Sequence, residues 1–165
     1  MPQEYTLQQA LQEAILAKKD LRDFYREAAQ MTVDPNSRKI FQRLSEEVED
    51  NIKKFFNYYR GREFGTLEEF LTTPPRRNST MLRELRKAKD QKMPAKRARE
   101  LAMREEKAME NSFRRAARQV VDPLAREIFA EVAEEAARHY AVIESEYEYQ
   151  TSRIHETDVN TYVRE

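Results

Sequence analysis

Residues 25–59 read YREAAQMTVDPNSRKIFQRLSEEVEDNIKKFFNYY, and residues 113–147 read FRRAARQVVDPLAREIFAEVAEEAARHYAVIESEY. The second stretch lies 88 residues after the first, aligns with it without a gap, and shares 12 of its 35 positions. The identities are Arg26/Arg114, Ala28/Ala116, Ala29/Ala117, Val33/Val121, Asp34/Asp122, Pro35/Pro123, Arg38/Arg126, Ile40/Ile128, Phe41/Phe129, Glu46/Glu134, Glu47/Glu135 and Tyr59/Tyr147. Two copies of one unit, each unable to bury its apolar face alone, imply a fold made by packing the copies together. Each copy reads as helix, tight turn, helix. Asp34-Pro35 and Asp122-Pro123 set a capping carboxylate before a proline at the first helical position. Proline loses no hydrogen bond there, and aspartate accepts one from the open amides.

Composition agrees with an all-α chain. Of its 165 residues, 36% are charged, 39% are hydrophobic, and only Gly61 and Gly65 are glycine. A sheet protein would demand more glycine in its turns. The formal net charge is +0, so no global field recruits nucleic acid or a membrane. Cysteine is absent, which excludes disulfides, thiol catalysis, iron–sulfur clusters and cysteine-ligated zinc. No apolar stretch approaches the ~20 residues that span a bilayer, and the amino terminus lacks a signal-peptide core. The expectation is a cytoplasmic protein without membrane contact.

Periodicity places helices over 7–31, 35–60, 94–121 and 123–150. The two hairpins, 7–60 and 94–150, form one bundle domain over 1–150, joined by a crossover at 61–93 and followed by a tail at 151–165. Thr66-Leu-Glu-Glu-Phe within the crossover opens like a capping box. Steps of three and four give the seams. They run Leu7, Leu11, Ala14, Lys18, Leu21, Tyr25, Ala28; then Phe41, Leu44, Val48, Asn51, Phe55, Tyr58. The second hairpin gives Ala102, Glu106, Met109, Phe113, Ala116; then Phe129, Val132, Ala136, His139, Ile143. One strongly polar residue interrupts each seam: Lys18, Asn51, Glu106 and His139. Within each hairpin the two interruptions are equidistant from the turn, so all four are expected in one layer, with Lys18 pairing with Glu106. Buried polar groups need such partners.

Phe24-Tyr25-Arg26-Glu27-Ala28-Ala29, the Ile40-Phe41 and Ile128-Phe129 pairs, and Glu134-Glu135-Ala136-Ala137-Arg138-His139-Tyr140 are similar to motifs of the ferritin-like superfamily. Within it the chain resembles the rubrerythrin-like branch. The resemblance implies a ferritin-like four-helix bundle. In that family each half supplies a glutamate from its first helix and a Glu-x-x-His from its second, together holding two irons. Transferred to this chain, the Glu-x-x-His slots fall on Val48/Asn51 and Ala136/His139, and the first-helix slots on Ile15 and Met103. All four carboxylate slots are therefore apolar, one histidine of two is kept, and Glu106 matches an additional glutamate of rubrerythrin. On this reading the di-iron ligands are lost, no cofactor is expected, and no catalytic residue is assigned. Lysine in place of a metal cation is physically sensible, and the remnants of a metal site are Glu106, His139 and Glu135.

Two function classes follow. The first is a non-catalytic scaffold or interaction protein, associating with itself or with a protein partner. The second is a residual metal-binding or peroxide-reducing relative that uses iron through Glu106, His139 and a nearby carboxylate such as Glu105 or Glu135. A basic strip over 76–99 faces an acidic fourth helix, and reads as a solvated strip neutralised within the chain or across a dimer. It lacks the interleaved aromatics of a nucleic-acid surface, so nucleic acid is not an expected partner. The adjacent aromatics Phe55-Phe56 and Tyr58-Tyr59, with Tyr147 and Tyr149, exceed what one seam absorbs, so some must cover the crossover, the tail or another subunit. In the tail, His155, Glu156 and Asp158 are too exposed for a firm metal site, while Val159, Tyr162 and Val163 are suited to docking.

Overall fold

The computed structural model describes the backbone of residues 6–163 and the side chains of residues 6–150. Its helices in chain order are α1 (Leu7–Met31), α2 (Pro35–Phe56), α3 (Leu67–Thr72), α4 (Thr80–Ala88), α5 (Pro94–Gln119) and α6 (Pro123–Val163). No strand occurs among the described residues. α1 packs most extensively on α2, and α5 on α6, so the two repeats are the two hairpins. The hairpins meet chiefly through α1 and α6.

Both turns are built the same way. Asp34 accepts a hydrogen bond from the Ser37 amide at 3.0 Å, and Asp122 accepts from Leu124 and Ala125 at 2.9 and 3.2 Å. Arg38 reaches back to the Thr32 carbonyl at 3.1 Å, and Arg126 to that of Val120 at 2.8 Å. The Arg38/Arg126 identity is thus a turn-closing device. The seams also converge as expected: Leu11, Ala14, Leu21, Tyr25, Phe41, Val48, Phe129, Ala136 and Ile143 are buried. Phe113 packs on Phe129 with ring centroids 5.5 Å apart, and Tyr25 stacks on Phe41 at 6.2 Å.

Several expectations need correcting. Tyr58 is 60% exposed rather than in the seam, because α2 ends at Phe56 instead of residue 60. The Tyr58 and Tyr59 amides both turn back to the Phe55 carbonyl, and the chain then enters the crossover. α6 runs to Val163 instead of stopping near 150, since neither glycine nor proline follows Pro123. The tail side chains His155, Glu156, Asp158, Val159, Tyr162 and Val163 lie outside the described residues.

The crossover is a strap laid over α1. α3 has the expected reciprocal cap between Thr66 and Glu69, preceded by Gly65 at φ 69°, where glycine carries no steric penalty. Phe56 and Tyr59 pack against Phe64 and Phe70, so the strap absorbs part of the aromatic surplus. Beneath it lie Lys19, Asp20, Arg22 and Asp23, all buried. Lys19 pairs with Asp23 at 2.5 Å and donates to the Thr73 carbonyl at 3.1 Å. Arg22 donates to the Leu71 carbonyl at 2.7 Å, and Arg76 forms a two-pronged pair with Asp20. α1 is therefore covered on two faces: the seam by helices, the other by charged side chains that satisfy the strap's backbone. Arg86 of the basic strip pairs with Glu27 on α1, and Glu84 of α4 pairs with Arg104 on α5, while Glu146 of the acidic α6 attracts Arg99.

Candidate functional site

Lys18 and Asn51 meet at Glu135, and His139 stands beside Glu106. Lys18, Glu106 and His139 are each fully buried, and Asn51 is half-buried. Their pairing differs from the expected one. Lys18 Nζ lies 2.7 Å from Glu135 Oε1, and Asn51 Nδ2 donates to that same oxygen. Asn51 Nδ2 also donates to the Glu47 carbonyl at 2.8 Å. His139 takes the place beside Glu106 that Lys18 was expected to hold. Its Nδ1 is 3.0 Å from Glu106 Oε2, so imidazole and carboxylate stand side by side in the core. On the other side of the ring, Nε2 is 3.1 Å from Glu47 Oε2 and 3.8 Å from Glu135 Oε1. The layer therefore contains three pairs of repeat equivalents: Lys18/Glu106, Asn51/His139 and Glu47/Glu135.

Glu47 and Glu135 were legible as repeat identities, but each stands one residue before its apolar slot. Adjacent helix positions point ~100° apart, which sets these carboxylates beside the seam rather than in it. Their length brings them back, with Glu135 side chain 10% exposed and Glu47 30%. Arg138 and Arg43 approach Glu47 from the solvent side at 3.5 and 3.8 Å. Ile15, Val48 and Ala136 are fully buried core residues, and Met103 packs partly buried against the core. Glu105 pairs at the rim with Arg104 at 3.5 Å.

Burial raises the Glu106 carboxyl above its ordinary range; His139 and Lys18 act the other way, and Glu135 adds to the rise. Burial likewise holds the Tyr25 phenol well above its usual range, reinforced by Glu106 and Glu135, so it stays protonated. Its hydroxyl has no hydrogen-bond partner. A raised carboxyl binds its proton more tightly in the folded chain than in the unfolded one. The associated stability is complete below the unfolded value and is lost as pH rises through the folded value. Glu106→Gln, which cannot ionise, should therefore gain stability relative to the parent as pH rises from about 4 to about 8. Urea midpoints across that range check this, and a constant difference would mean that Glu106 titrates as an ordinary carboxylate.

Among the described residues, no group of three or more histidine, aspartate or glutamate side chains is arranged to hold a metal ion. Two helical hairpins joined by one long crossover make the ferritin-like arrangement of a helical bundle. The family model described as Rubrerythrin matches residues 9–147, and the chain belongs to that family, within the ferritin-like superfamily. No curated protein and no solved structure is significantly similar to the chain.

Proposed function

We propose that this chain is a rubrerythrin-family protein that has lost its di-iron ligands and serves as a non-catalytic scaffold or interaction protein. One observation carries the reading: the ammonium of Lys18, fully buried, sits 2.7 Å from Glu135 at the centre of the layer. Two iron ions bring a large positive charge that needs several carboxylates close by. Here the matching slots Val48 and Ala136 are buried hydrocarbon, and a fixed cation already holds the nearest carboxylate. The residues present do not fit a di-iron centre. The polar layer then acts as a register device, aligning the hairpins more than stabilising them.

The expected activity follows from the same chemistry. Purified protein supplied with ferrous iron and a reductant should consume hydrogen peroxide no faster than iron and reductant alone. Turnover above that background, abolished by His139→Ala, would favour the residual-enzyme reading built on Glu106, His139 and Glu135. Homo-oligomerisation belongs to the proposal too, supported by exposed Tyr58, Val121, Leu124 and Tyr149. No helix among the described residues is long and apolar enough to cross a membrane.

A further inference from the structure

We propose that the basic strip around α4 docks on the acidic outer face of α6 in a second copy of the chain. The inference rests on the homo-oligomeric reading above and names the surfaces that meet. Residues 76–99 carry ten lysines and arginines against two acidic residues, and residues 123–150 carry seven glutamates against two arginines. The fold neutralises only part of either surface. Arg76 and Arg86 pair with Asp20 and Glu27, and Arg99 is attracted by Glu146. On α6, Glu131 pairs with Lys54 and Glu135 with Lys18. Among the described residues, Arg77, Arg83, Lys87, Lys89 and Lys92 are exposed and form no ion pair. The same holds of Glu127, Glu134 and Glu148 on α6.

The unpaired charges are arranged as faces. Glu127, Glu134 and Glu148 recur at multiples of seven, so they share one side of α6. Arg138, the nearby base, is drawn to Glu47 on α2 at 3.5 Å. On α4, Arg83 and Lys87 stand one turn apart, opposite the buried Leu82, Leu85 and Ala88. The two faces also stand at similar heights on the bundle. Arg104 ties Glu84 to the middle of α5, and Lys107, one turn further on, lies over the Tyr140 ring of α6 at 5.8 Å. Two copies lying side by side therefore bring the cations of one to the level of the carboxylates of the other. Each face has apolar side chains to cover: Val142 and Tyr149 on α6 are 43% and 57% exposed, and Met93 at the end of the strip is 49% exposed. Apolar contacts within a charged rim are the make-up of a non-obligate interface. Two α6 faces set against each other would instead bring like charges together, which disfavours that pairing.

The test is sedimentation velocity of the full chain over a range of concentrations, with circular dichroism to verify folding. The parent should self-associate in about 0.02 M salt and do so at least about 10-fold more weakly in about 0.5 M, where exposed charges are screened. Reversing the strip with Arg83→Glu and Lys87→Glu should weaken association at least about 10-fold, and so should reversing α6 with Glu134→Lys and Glu148→Lys. A chain carrying all four changes has its charges complementary again and should recover association to within about 3-fold of the parent. An equimolar mixture of the two reversed chains offers the same pairing and replaces the four-fold chain if that does not fold. Association that ignores both reversals, or that complementary reversal does not restore, overturns the inference and leaves the homo-oligomeric reading intact. A parent that is monomeric in low salt overturns both.

Discussion

Lys18→Met should destabilise the protein by about 3–5 kcal/mol, the usual cost of breaking a buried ion pair from one side. The substitution keeps the apolar stem but leaves the Glu135 carboxylate, only 10% exposed, with Asn51 as its remaining donor in the layer. Glu135→Leu strands the ammonium of Lys18 instead, and should cost a similar amount. The double variant removes both charges and should recover most of either loss, because the desolvation penalty vanishes with them. Denaturant unfolding of the four proteins gives the coupling energy directly. Additive effects, or single changes under about 0.5 kcal/mol, would show that the pair does not hold the layer together.

Phe129→Ala should cost about 3–5 kcal/mol, as for other fully buried aromatics. Phe129 has no exposed surface and packs on Phe113. Its repeat equivalent Phe41, 1% exposed and stacked on Tyr25, should respond alike. Thermal or urea unfolding checks both. A loss below about 1 kcal/mol at either position would mean that the hairpins do not share one close-packed core.

The repeat made much of this fold legible. Asp34-Pro35 and Asp122-Pro123 located the turns, and most of the residues named by the seams are buried. The polar layer was legible as heights along four helices. Its pairing was not, because counting residues from a turn gives height and not direction. Glu135 stands one position away from its apolar slot, and only the reach of its side chain takes it to Lys18 ahead of Glu106. The burial of Lys19, Asp20, Arg22 and Asp23 was hidden for a different reason. A charged helix face reads as solvated unless the segment that covers it is known. Here that segment is the strap around Leu71 and Thr73, held by hydrogen bonds to its backbone carbonyls. The length of α6 was missed because a polar sequence without breakers continues a helix as readily as it ends one.

Metal analysis of the protein purified after iron-supplemented expression tests the loss of the di-iron centre most directly. With Lys18 seated at Glu135 and hydrocarbon at Val48 and Ala136, the iron content should fall far below two ions per chain, and the protein should be folded without it. Two irons per chain, accompanied by ferric–oxo absorption that disappears together with the metal, would contradict it.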